Sequence, residues 1–373
     1  MKKFKKSLIA LLSVCMIITM MPFGVWAGET EENNETGGAP ANQAEQTTEL
    51  PEADENGKIT LTGANTSYTL TSNVTADIVI EANANVTINL NDHNITDKTA
   101  ADTIYVKNGA VLTITGNGTV DNVSNARAAV FNNGTVTLNG GTFDRSQENG
   151  QNKNSSGDNS WYTICNHGDM MVNAGVTVTT AGGGDNLETK GKFSSLVENG
   201  YYSYSSENER LGYVANTNNP NPTLTINAGT FNGGLNTIKN DDGAAVTING
   251  GSFGNYYQAV VQNHHEATIA GGTFTVAEGA DGITYGVYNC GCAAGLDKGT
   301  LTISGGTFTG ASYGVYDVSS QPAQVKITGG TFNATDAAVA KHTAENYNKG
   351  EISVTGGTFS SDVSCLLYTS RCV

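Results

Sequence analysis

One phrase recurs along this chain and constrains the fold more than any other feature: an apolar–Thr–apolar strand followed by Gly-Gly-Thr-Phe. Five of its seven copies spell GGTF, as in "LTISGGTF" from Leu301, and "LTINAGTF" from Leu224 and "VTINGGSF" from Val246 are near variants. Aligned on their alternation, further segments join the column: "VTINLN" from Val86, "LTITGNGTV" from Leu112, "VTLNGGTF" from Val136 and "MMVNAGV" from Met170. "ATIAGGTF" from Ala267, "VKITGGTF" from Val325 and "ISVTGGTF" from Ile352 complete it. The tightest spacing, Ile226 to Ile248 to Ile269, is about 21–22 residues, a period that signifies stacked repeats.

Within each phrase the apolar residues alternate with polar ones, so they fall on one face of a strand. The predicted inward column is Ile88, Ile114, Leu138, Val172, Ile226, Ile248, Ile269, Ile303, Ile327 and Val354. The outward column is largely Thr: Thr87, Thr113, Thr137, Thr225, Thr247, Thr268 and Thr302. The glycine pair permits a bend that a side chain would resist. That bend would return Phe143, Phe231, Phe253, Phe274, Phe308, Phe332 and Phe359 to the interior, where they would stack.

A shorter strand precedes each phrase and closes on Asn or Asp: "AVFN", "TICN", "TIKN", "GVYN" and "GVYD". Asn and Asp tolerate left-handed backbone angles and bond locally in turns, so Asn132, Asn166, Asn240, Asn289 and Asp317 should stack as a polar ladder. The many Asn-x-Thr/Ser triplets follow from this turn-then-strand grammar and are not read as glycan acceptors.

These features resemble the right-handed parallel β-helix of pectate-lyase-like proteins, an all-β solenoid, here of about ten rungs over residues 58–364. The GGTF rungs are similar to those of secreted bacterial surface proteins. The segment "KITLTGANTSYTLTSNV" from Lys58 is expected to cover the first rung, since an open sheet edge invites pairing. Residues 179–222 stand out as a long insertion.

The ends read differently. Residues 1–27 have the basic start, apolar run and small-residue close at Ala27 of a signal peptide, an uncleaved membrane anchor being the alternative. Residues 28–57 are acidic and nearly free of large apolar side chains, as in a disordered linker. The last nine residues, "CLLYTSRCV", resemble the translation of a sequencing-library adapter, which would make 365–373 an artefactual tail. The localisation implied is secreted, at a bacterial cell surface, with no membrane span in the mature part.

A net charge of −16 argues against nucleic acid or anionic membranes as partners, since both require clustered Lys and Arg. Cys165, Cys290 and Cys292 make no disulfide framework. No cofactor is expected.

Three sets of residues could carry function. Pectin-cleaving hydrolases of the resembled family carry N-T-D, D-D, G-H-G and R-I-K motifs, and only "DD", Asp241–Asp242, occurs here. The lyase pattern needs a carboxylate cluster with Arg or Lys beside it, and none is evident. A polysaccharide lyase or glycoside hydrolase working through Asp241, Asp242, His264, His265 or Arg210 is thus the alternative reading. The turns "KNDDG", "QNHHE" and "NCGC" could bring Asp241, Asp242, His264, His265, Glu266, Cys290 and Cys292 together as metal ligands, or be ordinary polar turns. Aromatic residues form the third set. Tyr105, Phe131, Tyr288 and Tyr316 should face outward from the short strand, and Trp161, Tyr201, Tyr202 and Tyr204 lie in or near the long insertion. Aromatic faces beside amides suit sugar rings. The expectation is therefore a non-catalytic adhesion or carbohydrate-binding protein, its partner an extracellular glycan or a host or cell-wall surface, with Trp161, Tyr201, Tyr202, Tyr204, Tyr288 and Tyr316 as contacts. A purely structural stalk is the third possibility.

Overall fold

A computed structural model describes residues 48–124, 127–148, 162–182, 186–190, 194–200, 221–241, 243–280, 282–291 and 299–363. They form a right-handed parallel β-helix, the hand that strand-to-parallel-strand connections take almost without exception. Three parallel sheets of 11 strands run its length, and each rung contributes one strand to each sheet. The first sheet holds the short strands, from Lys58–Leu61 to Ala337–Lys341. The second holds the apolar–Thr–apolar strands, from Thr66–Thr69 to Glu351–Val354, and the third the Gly-Thr-Phe strands, ending at Thr358–Phe359.

Two expectations change. The segment from Lys58 is not a cover for the first rung. It is the first rung, because Ile59 and Leu61 point inward and pair in register with Ile78 and Ile80. Residues 179–222 are likewise not wholly an insertion: Val197–Asn199 is a strand of the first sheet, lying between Ile164–Asn166 and Asn236–Asn240. The rung from Lys58 brings about ten rungs to 11, and Val197–Asn199 supplies the first-sheet strand of the rung that continues at Thr223–Ile226.

The core is built column by column. Ile88, Ile114, Leu138, Val172, Ile226, Ile248, Ile269, Ile303 and Ile327 are all buried in one continuous cluster, while Val354 on the last rung is half-buried. Phe231, Phe253, Phe274, Phe308, Phe332 and Phe359 stack, with ring centroids 4.5–5.4 Å apart and planes within 11° of parallel. Phe143 is buried in the same column but pairs in register with Val120 and Val178, so it has no ring to stack on. The return of the phenyl rings depends on the second glycine of each pair. At Gly251 φ is +111°, and a Cβ there would lie 3.1 Å from the Gly229 carbonyl oxygen and 3.3 Å from the Phe253 ring. Only glycine meets both conditions without strain.

The polar ladder is longer than expected and lies inside. Asn132, Asn166, Asn199, Asn240, Asn263 and Asn289 each donate Nδ2 to the next Oδ1 at 2.7–2.9 Å, and the run ends on Asp317. All seven side chains are fully buried. A second ladder, Asn249 to Asn227 to Asn173 to Asn139, repeats the contact at 2.7–2.9 Å on the exposed surface, one residue past the ends of second-sheet strands.

Candidate functional site

The outer face of the first sheet is where the rungs differ. Its strands read inward–outward–inward, and the register aligns their outward residues into one column. That column runs Val79, Tyr105, Phe131, Cys165, Glu198, Lys239, Gln262, Tyr288, Tyr316 and Ala340. Its middle is ionisable and its later rungs are aromatic.

In the middle zone Cys165, Glu198 and Lys239 occupy outward positions yet are buried, together with Tyr162, His167 and Asp241. Cys165 Sγ donates to Glu198 Oε2 at 3.1 Å and lies 3.5 Å from His167 Nε2. Burial pushes the Cys165 thiol well up, and the Glu198 carboxylate beside it pushes the same way. The His167 and Phe131 rings meet edge to face, with centroids 5.0 Å and planes 73° apart. Lys239 Nζ pairs with Asp241 Oδ2 at 2.5 Å and sits 5.8 Å from the centre of the Tyr162 ring. Burial works against the Lys239 ammonium, but the carboxylate of Asp241, with Tyr162 and Glu198, holds its pKa well above the ordinary lysine value. Burial lowers the pKa of His264, against the pull of Asp241. At the edge of this zone burial lifts Asp102 to about 6, although its carboxylate accepts the Ala128 amide at 3.0 Å.

The aromatic zone lies on consecutive rungs further along. Tyr285 and Tyr288 belong to one strand, Tyr313 and Tyr316 to the next, paired Tyr285 with Tyr313 and Tyr288 with Tyr316. The paired rings are 5.9 and 6.3 Å apart and within 19° of parallel. Within each strand the two rings tilt together at 4.7 Å. On the following rung His342 meets Tyr316 edge-on at 6.2 Å and Tyr347 at 5.6 Å. The four sheet tyrosines are half-buried and Tyr347 is exposed. Gly286 allows both tyrosines of its strand to turn out, because its own position faces the core. A Cβ there would stand 2.6 Å from the Gly314 carbonyl oxygen and 3.1 Å from Phe308.

Of the residues expected from sequence, Tyr288 and Tyr316 are adjacent here, and Tyr285, Tyr313, His342 and Tyr347 join them. The added tyrosines could have been found from the parallel phrases "YGVYN" and "YGVYD". Trp161, Tyr201, Tyr202, Tyr204, Asp242, Arg210 and Cys292 lie outside the described residues. Asp241 faces Lys239 and the neighbourhood of His264; His265 and Cys290 are buried, and Glu266 is half-buried at the start of Glu266–Ile269. Among the described residues these do not converge as a ligand set; the three side chains that do are Cys165, His167 and Glu198. That group escaped the sequence reading because "VEN", Val197–Asn199, was hidden in the presumed insertion, though its closing Asn matches "ICN" and "IKN".

No helix among the described residues is long and apolar enough to cross a membrane. Compared with protein-family models, curated proteins and solved structures, the chain matches none.

Proposed function

We propose that this chain is a secreted or surface-attached, non-catalytic binding protein for an extracellular polysaccharide, held on Tyr285, Tyr288, Tyr313, Tyr316, His342 and Tyr347. The observation that carries the reading is the in-register array of tyrosines on the outer face of the first sheet. Inside the solenoid, phenylalanine rings 4.5–4.9 Å apart cover each other's faces. Outside, the Tyr288 and Tyr316 rings are 6.3 Å apart and only half-buried, so each keeps part of its surface open to solvent. Rungs repeat every ~4.8 Å, close to the length of one pyranose unit, so an extended glycan lying along the rod meets an aromatic group at each step. Sugar C–H faces stack on such rings while phenol and imidazole groups meet the hydroxyls. The acidic chain fits a neutral or cationic glycan better than a polyanionic one. The basic and apolar pattern of residues 1–27 supports the extracellular placement.

Asp241, the described member of the "DD" pair, is buried and held by Lys239, which suits it poorly to acid–base work on a solvent-borne polymer. The proposal is non-catalytic for that reason.

The test is affinity electrophoresis and calorimetry of the full chain against a panel of neutral and cationic polysaccharides, with a reducing-end assay on every hit. Truncating a central aromatic contact typically costs about 2 kcal/mol or more, so Tyr288→Ala with Tyr316→Ala should weaken binding at least ~30-fold. Undiminished binding by the folded double variant, or release of reducing ends, would overturn the reading.

A further inference from the structure

The buried group on the same face is independent of the glycan reading and has a different chemistry. Cys165 and His167 come from one rung and Glu198 from the next, and all three side chains are essentially without solvent exposure. Their donor atoms form a small triangle: Sγ to Oε2 3.1 Å, Sγ to Nε2 3.5 Å, and Nε2 to Oε2 3.8 Å.

Two observations say that the triangle is shaped for an ion. The first is its size. The point equidistant from the three atoms lies about 2.0 Å from each, against the ~2.0–2.3 Å that zinc keeps from imidazole, carboxylate and thiolate ligands. An ion at those distances would sit in or just above the plane of its three ligands. The second is an orphan. Glu198 Oε1 is buried and has no hydrogen-bond partner, a state that normally costs a carboxylate heavily. A cation bound by both oxygens of Glu198 would satisfy it.

We propose that Cys165, His167 and Glu198 form a binding site for a divalent transition-metal ion, zinc by the chemistry of the ligand set. One thiolate, one imidazole and one carboxylate suit a borderline-soft ion and disfavour calcium or magnesium, which take oxygen ligands alone. With both oxygens of Glu198 engaged, the three side chains supply four donor atoms, the coordination number usual for zinc. Phe131 packs edge to face against the His167 ring beside the site. Because Cys165 and Glu198 belong to paired strands, with His167 in the turn just after Cys165, the ion would join two rungs of the solenoid at the point where Val197–Asn199 enters the first sheet.

The experiment uses the full chain, stripped with chelator under reducing conditions and titrated with Zn²⁺ and with Co²⁺. One equivalent should bind, with an intense thiolate-to-cobalt charge-transfer band. Cys165→Ser should abolish the band, and His167→Gln and Glu198→Gln should each weaken affinity by more than the ~10–100-fold typical of losing an outer-shell partner. X-ray absorption on the zinc-loaded wild-type chain needs no variant to fold. It should show one sulfur at ~2.3 Å with nitrogen and oxygen at ~2.0–2.2 Å. No stoichiometric binding, an all-oxygen-and-nitrogen shell, two or more sulfurs in the shell, or an unchanged cobalt band in folded Cys165→Ser would each overturn the proposal.

Discussion

Asn199→Ala offers a direct measure of what the buried ladder contributes. Its side chain accepts from Asn166 at 2.7 Å and donates to Asn240 Oδ1 at 2.8 Å and to the Ala245 carbonyl at 3.0 Å. Truncation does not strand Asn166, whose Nδ2 keeps the Gly168 and Thr223 carbonyls at 3.1 and 3.0 Å. It does strand Asn240 Oδ1, which is fully buried, and it removes a donor from the carbonyl of the half-buried Ala245. Each buried acceptor left unpaired costs ~1–3 kcal/mol, and the vacated volume adds to this, so the expected loss is about 2–5 kcal/mol. Asn227→Ala is the matched control. It breaks bonds of the same kind, to Asn173 at 2.8 Å and from Asn249 at 2.9 Å, but on an exposed surface where water replaces them. Its cost should stay within about 0.5 kcal/mol. Urea denaturation of both variants, followed by circular dichroism at matched m-values, gives the comparison. Equal costs for the two substitutions would refute the argument that burial, and not the amide contact itself, sets the ladder's contribution.

Two further outcomes follow from the same geometry. Asp144 is lifted to about 6 by burial first and by the neighbouring Asp121 carboxylate second. A carboxyl with a raised folded pKa contributes stability that is complete below its ordinary value of 3.8 and lost as pH rises through about 6. Asp144→Asn should therefore stabilise the protein at pH ~7.5, by at most about 3 kcal/mol, with the gain shrinking toward pH ~4. A gain that does not change with pH would contradict this cause. In the aromatic column, Phe274→Ala removes a buried ring stacked on both sides at 4.8 and 4.5 Å and should cost ~3–5 kcal/mol. Phe359→Ala, half-buried and stacked on one side at 5.4 Å, should cost less than half as much by thermal denaturation.

The scaffold was legible because each rung repeats one local rule. Alternation separated Ile248 from Thr247, the second glycine of each pair explained the return of Phe253, and closing Asn residues foretold a ladder. Local rules failed where a rung departs from the phrase. "KITL" carries the alternation but no GGTF, so from sequence alone it reads as a cover and not as a rung. "VEN" is too short to signal a strand until its register with "ICN" is known. That omission concealed the convergence of Cys165 and Glu198, which are 33 positions apart in sequence but adjacent across one strand pair. Burial was the other limit. Asp241 reads as a turn residue in "NDDG", yet it is enclosed with Lys239, an outcome set by packing over the sheet face and not by the turn itself.

The asparagine ladder has a direction. Every amide from Asn132 to Asn263 also donates Nδ2 to a backbone carbonyl, at 2.9–3.1 Å, so none can be reversed without losing that bond as well. Their dipoles consequently add head to tail along the rod, with the positive ends toward the later rungs. The group that terminates the series must accept from Asn289, and a carboxylate does so while meeting the favourable end of the summed dipole. Asp317 stands at that position for the same electrostatic reason that acidic side chains gather at the amino ends of α-helices, in a molecule whose three sheets do the work that a helix backbone does elsewhere.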